Sequence, residues 1–213
     1  MKNILCFGDS NTWGYAPGTG YRYPFDQRWT GVLQQALIGD TRIIEEGLNG
    51  RTTLHDDEHR DFKNGLALLP VFLQSHAPLD LVIIMLGTND LKTFFDLSAE
   101  QIAQGAQALC QTALSLDYPA GECPQILLVS PAFIEPITAS GPPQDAPGFS
   151  GAIEKSRQFA PHYKAVADAL GIHFFDAAPL VQTSPVDGVH WAATQHEMFG
   201  LAMAEYLPTI FQR

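Results

Sequence analysis

Cysteine and positive charge are both scarce in this chain, and each shortage argues against a class of protein. The sequence has three cysteines, Cys6, Cys110 and Cys123. Because Cys6 lies inside a predicted strand, we expect no disulfide framework, and a reducing compartment is favoured. The 12 Lys and Arg residues stand against 23 Asp and Glu, a formal net charge of -11. Nucleic acid and anionic membrane surfaces are therefore unfavourable partners, because like charges repel.

Long apolar runs are also missing from the sequence. The apolar stretch after Asn3 ends at Gly8, and no later segment approaches the ~18 apolar residues of a membrane span. We therefore predict a cytoplasmic protein without membrane insertion. At 213 residues the chain is long enough to bury a sizeable core, so we expect it to need no metal or disulfide to fold. Hydrophobic residues make up 46% of the sequence, as in a compact globular protein. Since no repeat or charge block divides the chain, we predict one domain, residues 1–213.

Short apolar runs alternate with segments of helical periodicity. Strands are predicted at residues 4–7, 42–46, 79–86, 126–129 and 172–175. Helices are predicted at 29–38 with Gly39 as C-cap, at 66–76, from a Ser98/Gln101 capping box, at 153–170, and from a Thr194/Glu197 capping box. The run at 79–86 has hardly a polar residue, as a central parallel strand requires. This alternation predicts an α/β fold, a flavodoxin-like three-layer α/β/α sandwich around a parallel five-stranded sheet.

Ser10 follows the first predicted strand in the segment I-L-C-F-G-D-S-N-T. In open α/β sheets, ligands bind where the strands end at their carboxyl termini, so Ser10 is a candidate nucleophile. Gly8 would let the chain turn sharply there. Taken alone, the same residues also fit an ordinary turn in which Asp9 or Ser10 caps the next helix.

Asp187 and His190 lie in the loop before the last predicted helix. At this spacing the carboxylate can hold one imidazole nitrogen while the other faces outward, which is how a general base is oriented. A solvated loop is the alternative interpretation of the same pattern. Because this loop leaves the same edge of the predicted sheet as Ser10, the two signals together predict one site.

Two further loops at this edge offer donors for an oxyanion. The backbone N–H of Gly50 would be unobstructed by a side chain, and Asn89 can present its amide from the end of the central strand. The alternatives are a plain turn glycine at position 50 and a helix cap or Asx-turn at position 89.

Four blocks of the chain, in this order, resemble those of the SGNH hydrolases, also called GDSL esterases: Gly8-Asp9-Ser10, the loop with Gly50, Gly87-Thr88-Asn89-Asp90, and Asp187-x-x-His190. The resemblance covers nearly the whole chain. It implies Ser10 as nucleophile, His190 as base and then acid, and Asp187 as the group that holds the imidazole. It also implies an oxyanion hole made by the backbone N–H groups of Ser10 and Gly50 and the side chain of Asn89.

Longer segments are similar to the arylesterase and acyltransferase branch of that family, among them G-D-S-N-T-W-G and I-E-E-G-L-N-G-R-T-T. Members of this branch act on short acyl esters, often transfer the acyl group to an alcohol, and commonly form homo-oligomers. The resemblance thus implies a serine esterase with a small-molecule ester as substrate and no cofactor or metal. A carbohydrate O-acetyl esterase, an acyl thioesterase and a non-catalytic flavodoxin-like binding module are the alternatives.

The chain departs from the family pattern in two places. Position 11 is Asn where the namesake motif has Leu, which is predicted to alter the floor of the pocket. Gly47 competes with Gly50 as the backbone donor, and Gly50 is preferred because it directly precedes Arg51 and Thr52. We predict that the substrate pocket is lined by Asn11 and by aromatic side chains near these blocks: Trp13, Tyr15, Phe133 and Trp191.

The remaining polar features are interpreted as having no catalytic or metal-binding role. Ser150 lies in G-F-S-G-A, which resembles a nucleophile elbow but follows a Pro-rich loop instead of a strand. That loop, residues 131–150, is predicted to form a lid or pocket wall. The polar run at 55–61 is interpreted as a solvated acidic loop and not as a metal site. Lys92 is interpreted as an exposed lysine near a helix start.

Overall fold

A parallel sheet forms the centre of the fold. The structure is a computed structural model and describes residues 1–37, 39, 41–118 and 123–212. Its strands are β1 (Lys2–Gly8), β2 (Thr41–Gly47), β3 (Leu81–Met85), β4 (Gln125–Ser130) and β5 (His173–Asp176). They pair in the order β2-β1-β3-β4-β5, and every pairing is parallel. The predicted α/β fold with a five-stranded parallel sheet is confirmed.

Helices connect the strands and cover both faces of the sheet. In the described part of the chain, the α-helices are α1 (Ser10–Trp13), α2 (Trp29–Ala36), α3 (Gly65–His76), α4 (Ala99–Ser115), α5 (Ala152–Ser156), α6 (Phe159–Leu170) and α7 (Ala193–Phe211). Short 3-10 helices lie at Phe25–Gln27, Asn89–Leu91 and Thr93–Phe95. Among these elements, no helix has both the length and the apolar character needed to cross a bilayer.

The two faces of the sheet pack against different helices. Along β3, Val82 and Ile84 belong to the cluster that includes side chains of α3, α4 and α6. Leu81 and Ile83 belong to the other cluster, with side chains of α2 and α7. Since neighbouring residues of a strand point to opposite faces, a strand covered on both faces must be apolar throughout, which explains the uninterrupted run in this segment.

The strand register brings three loops to one edge. Gly8 pairs with Gly47 of β2 and with Met85 of β3, so these three adjacent strands end at the same level. The segments that follow them begin at Asp9, Leu48 and Leu86. The loops that were predicted to carry Ser10, Gly50 and Asn89 therefore leave the sheet side by side.

Several predicted helix boundaries are wrong, for local reasons. The predicted helix at 153–170 is two helices, α5 and α6. The side chain of Ser156 donates to the carbonyl of Ile153 at 2.8 Å and accepts from the N–H of Ile134 at 3.0 Å, which competes with continued helix formation. The capping box of α4, Ser98 with Gln101, is confirmed.

The other two errors concern single caps. Helix α7 begins at Ala193, so Thr194 already lies inside its first turn, and the N-cap is Ala192 without a side-chain hydrogen bond. Helix α2 ends at Ala36 with Leu37 as its C-cap. Gly39 therefore lies beyond the helix and does not cap it.

Candidate active site

Ser10 lies at the first position of α1, at the carboxyl edge of the sheet. Asp9 is the N-cap of this helix, and its carboxylate accepts the N–H of Asn11 at 2.9 Å. The capping alternative is therefore correct for Asp9, and it leaves Ser10 free for another role. A Cβ on Gly8 would lie 2.1 Å from Oγ1 of Thr12, so the tight turn before Ser10 requires glycine.

Asp187, His190 and Ser10 form a continuous hydrogen-bonded chain. Nε2 of His190 lies 3.0 Å from Oγ of Ser10, and Nδ1 lies 2.9 Å from Oδ2 of Asp187. Oδ1 of Asp187 accepts the backbone N–H groups of Val189 and His190 at 3.1 and 3.0 Å. Burial by itself raises the pKa of Asp187, but these hydrogen bonds outweigh it and hold the pKa below its usual value. Asp187 is thus a carboxylate that can orient the imidazole.

Asn11 ties the loop of Ser10 to the loop of His190. Its Nδ2 donates to the carbonyl of Val189 at 3.2 Å, and its Oδ1 accepts the N–H of Trp191 at 3.1 Å. These two backbone groups belong to the residues on either side of His190. Asn11 is 5% exposed, so both hydrogen bonds are shielded from water. Asn11, which stands where the family motif has Leu, therefore helps to hold His190 in position.

Tyr15 packs on the imidazole of His190. The two ring centroids lie 4.1 Å apart, with the planes inclined by 28°. The backbone N–H of Tyr15 donates to the carbonyl of Ser10 at 3.0 Å, so the segment that carries Ser10 also carries the ring that stacks on His190. The imidazole is thereby restrained by a ring stack as well as by its hydrogen bonds.

Gly50 and Asn89 share a cavity of about 290 Å³ with Ser10, Asp187 and His190. Nδ2 of Asn89 donates one hydrogen bond to the carbonyl of Arg51 at 3.1 Å, which leaves its second N–H for the cavity. Gly50 has a φ of 82°, a conformation that favours glycine. By contrast, a Cβ on Gly47 would lie 2.2 Å from the backbone N of Trp13, because α1 packs on β2 at this point.

The loop that carries Gly50 is anchored by buried charged groups. The guanidinium of Arg51 donates to the carbonyl of Gly8 at 2.9 Å and lies 4.1 Å from the ring centroid of Phe7. Burial lowers the pKa of Arg51 to about 10. Both carboxylate oxygens of Asp90 accept the N–H of Thr53 at 3.0 Å, and burial raises the pKa of Asp90 to about 7. The end of β1 and the segment after β3 thus both hold this loop.

The predicted pocket residues need correction. Among the described residues that line the cavity, Tyr15 is the one member of the predicted set. Asn11 is occupied by its hydrogen bonds to the histidine loop, and Trp191 is 1% exposed in the core, with its ring 5.1 Å from that of Phe199. Trp13 is not among the residues that line the cavity, and its ring lies 5.0 Å from the guanidinium carbon of Arg22. Closeness in sequence was a poor guide because successive residues of a helix or turn point in different directions.

Phe133 is also not among the residues that line the cavity, and its ring lies 5.3 Å from the guanidinium of Arg157. Apolar walls come instead from Ala146, Pro147, Phe149 and Val189. The first three belong to the Pro-rich loop that was predicted to form a pocket wall. Ser150, beside them, is exposed.

The polar loop at 55–61 is not simply solvated. Asp57 is 7% exposed, and Arg60 lines the cavity beside Gly50. Lys92, expected to be exposed, also lines the cavity, with 11% of its side chain accessible. In the described ranges, no group of His, Cys, Asp and Glu side chains is arranged to hold a metal ion. Sequence reasoning missed Arg60, whose signal was a single arginine within an acidic run.

A serine hydroxyl, an imidazole and a carboxylate in hydrogen-bond contact, beside two groups that can donate to an oxyanion, match the arrangement expected of a serine hydrolase. Comparison with known proteins agrees with this class. The model of the GDSL-like Lipase/Acylhydrolase family matches residues 6–197, and the chain belongs to that family.

Solved structures with the same fold include two named esterases. The chain is 39% identical to Est24, a carbohydrate acetylesterase from Sinorhizobium meliloti, with a TM-score of 0.92 over 99% of this chain and 100% of that one. It is 40% identical to the native aryl esterase of M. smegmatis, with a TM-score of 0.90 over 98% and 99% of the two chains.

A curated arylesterase from Vibrio mimicus is also similar. It is 36% identical to this chain over 92 residues, which are 42% of this chain. The matched segment spans 38% of the length of the Vibrio protein. This likeness therefore concerns part of each protein.

Proposed function

We propose that this protein is a serine esterase that hydrolyses short-chain aryl or alkyl carboxylic esters through an acyl-enzyme. The observation that carries the proposal is the contact of 3.0 Å between Nε2 of His190 and Oγ of Ser10, with Asp187 on the opposite ring nitrogen. Kinship with an acetylesterase and with aryl esterases supports ester chemistry.

The mechanism follows from this geometry. His190 accepts the proton of Ser10 as the oxygen attacks the ester carbonyl, and Asp187 stabilises the imidazolium that forms. The backbone N–H of Ser10 is not used within α1, because it belongs to the first turn, so it can donate to the oxyanion. The N–H of Gly50 and the free N–H of Asn89 supply the other donors. His190 then protonates the leaving alcohol, and a water molecule releases the acyl group by the reverse sequence.

The test uses two serine variants. Ser10→Ala should abolish hydrolysis of p-nitrophenyl acetate while the circular dichroism spectrum stays that of the wild type. Ser150→Ala is the matched control, because Ser150 is an exposed serine in an elbow-like sequence, and we expect it to keep wild-type activity. A fluorophosphonate should add one covalent group to the wild type and to Ser150→Ala, and none to Ser10→Ala. Turnover by Ser10→Ala would exclude this mechanism.

A carbohydrate O-acetyl esterase is the second candidate, and the likeness to Est24 favours it. The two candidates share the catalytic steps and differ in the alcohol part of the ester. Comparing kcat/KM for phenyl acetate with that for acetylated xylose would separate them. Acyl-CoA of increasing chain length would test the thioesterase alternative in the same assay series.

Acyl transfer to an alcohol, assembly into a homo-oligomer and a cytoplasmic location are proposed with this function. If the protein transfers acyl groups to alcohols, it should form ethyl acetate from p-nitrophenyl acetate and added ethanol in water. Sedimentation velocity would measure the assembly state. Cell fractionation would measure the location.

A further inference from the structure

Two cationic side chains, Arg60 and Lys92, line the cavity that holds Ser10. The chain as a whole is strongly acidic, with a formal net charge of -11 and 12 Lys and Arg residues in total. Two of these few cations are therefore placed where an ester would bind. The ester carbonyl itself is uncharged and needs no cation in its ground state.

Asp57 positions both cations. Its Oδ2 accepts Nε of Arg60 at 3.2 Å, Nη2 of Arg60 at 2.9 Å and Nζ of Lys92 at 3.3 Å. Its Oδ1 accepts the backbone N–H of His59 at 3.0 Å. Just 1% of the Asp57 side chain is accessible, against 45% for Arg60. The carboxylate thus lies behind the cations and holds them from the protein side.

Arg60 lies directly against the proposed oxyanion donor. A Cβ on Gly50 would be 2.8 Å from both Nη1 and Nη2 of Arg60, so the guanidinium approaches the α-carbon of Gly50 as closely as a glycine permits. Asp57 engages Nε and Nη2, and the hydrogen bonds of the described residues give Nη1 no protein acceptor. Nζ of Lys92 likewise uses one of its three N–H groups on Asp57. Donors therefore remain for a ligand in the cavity.

Among the described residues, Asp187 is the one acidic residue that lines the cavity, and both of its oxygens already have hydrogen-bond partners. Oδ1 of Asp187 accepts two backbone N–H groups, and Oδ2 faces the imidazole of His190. Asp187 keeps its negative charge, but the ion pairs of the described residues place it on His190 and not on Arg60 or Lys92. Asp57 offsets one of the two positive charges, so Arg60, Lys92 and Asp57 together keep a net charge of about +1. An anionic group in the cavity would meet two cations with free donors, in partly desolvated surroundings where charge-assisted hydrogen bonds are strong.

We propose that Arg60 and Lys92 form an anion-binding wall that selects ester substrates carrying a carboxylate on the acyl or the alcohol part. This rests on the proposed esterase function and names its substrate class. A carboxylate held by these two cations would place the scissile carbonyl beside Ser10. A neutral ester of the same shape would lack this contact and bind less tightly.

The kinetic test compares two matched pairs of esters: 4-acetoxybenzoate with 4-acetoxybenzamide, and monophenyl adipate with its primary amide. We expect the anionic member of at least one pair to have the higher kcat/KM, chiefly through a lower KM. Lys92→Met and Arg60→Gln should each lower the ratio of anionic to neutral kcat/KM about tenfold. Lys164→Met is the control, because it removes an exposed cation paired with Asp168 on α6, and it should leave the ratio unchanged.

A role in holding the oxyanion, or in folding alone, predicts a different pattern. Either would lower kcat/KM for both members of a pair by the same factor, since every ester forms the same oxyanion. That result, or ratios that do not change in either variant, would overturn the proposal. Raising the salt concentration should also reduce the preference for the anion in the wild type.

Direct binding keeps this proposal separate from esterase activity. Calorimetric titration of Ser10→Ala with benzoate and benzamide needs no turnover. We expect Ser10→Ala to bind benzoate more tightly than benzamide. The double variant Ser10→Ala/Lys92→Met should bind the two ligands with equal affinity. Equal affinity for benzoate and benzamide would overturn the anion wall. By contrast, a wild type that hydrolyses no ester but prefers benzoate would overturn the esterase function alone.

Discussion

Replacing Asn11 with alanine tests whether the link between the two catalytic loops positions His190. The change removes the hydrogen bonds to the carbonyl of Val189 and to the N–H of Trp191, at 3.2 and 3.1 Å. Each net hydrogen bond contributes about 1 kcal/mol, and a buried partner left unpaired costs about 1–3 kcal/mol. We therefore expect the free energy of unfolding to fall by roughly 2–4 kcal/mol. For a domain of this size, at about 2–4 °C per kcal/mol, that lowers Tm by about 4–16 °C.

The effect on catalysis is the sharper part of the prediction. With both neighbours of His190 released, the imidazole loses a fixed position relative to Ser10, and a displacement of about 1 Å can cost about a hundredfold in rate. We expect kcat for p-nitrophenyl acetate to fall about 10- to 100-fold with little change in KM. Asn11→Leu, which restores most of the volume without the hydrogen bonds, should recover part of the stability but not the rate.

Leu207→Ala serves as the control for lost stability. Leu207 is 1% exposed in α7 and lies near Lys2 and Thr41, at the opposite edge of the sheet from Ser10. The truncation should cost about 2–5 kcal/mol and leave kcat unchanged at a temperature where the protein is folded. If Asn11→Ala is as destabilised as this control and yet keeps the wild-type kcat, then Asn11 does not position the histidine.

Two further substitutions test the oxyanion donor and the buried carboxyl. Asn89→Ala should lower kcat by about 10²- to 10³-fold, measured with p-nitrophenyl acetate. Asn64→Ala, which removes the N-cap bond of α3 to Ala67 at 3.1 Å, should lower stability by about 1 kcal/mol and leave kcat unchanged; equal kcat in both variants would contradict the donor role. Burial raises the pKa of Asp90 to about 7 in the folded state. In the unfolded state the pKa is near 3.9. Between about pH 4 and pH 7 the folded state therefore binds a proton that the unfolded state has released. Its contribution to stability is therefore complete below pH 4 and is lost as the pH rises through 7. From pH 5 to pH 8, denaturant titrations should show the wild type losing about 2–3 kcal/mol more than Asp90→Asn, and parallel losses would contradict the raised pKa.

The chemistry-bearing residues could be predicted from the sequence because they depend on local order. Ser10, Gly50 and Asn89 each follow a predicted strand, and parallel strands place their carboxyl ends at one edge. The topology alone therefore implied that these residues meet. Asp187 and His190 could be paired because their spacing of three suits a carboxylate that bonds both the backbone and the ring of the histidine.

Pocket walls could not be predicted in this way. Trp13 and Trp191 lie close in sequence to Ser10 and His190, but the direction of each side chain depends on how α1 and the histidine loop pack, and neither ring lines the cavity. Helix ends also depended on single side-chain contacts, as at Ser156. These outcomes are decided by packing between distant segments, which periodicity does not report.

The sequence by itself determined the sheet, the order of its loops and the reactive groups that those loops carry, because apolar strand runs and short spacings are local properties. Only the tertiary structure decided that Asn11 links the loops of Ser10 and His190, and that Arg60 and Lys92 face the cavity over a buried Asp57. The contact of Lys92 with Asp57 joins residues 35 positions apart, and that of Asn11 with Trp191 joins residues 180 positions apart. Their energies depend on burial and distance, which arise only when the chain is folded.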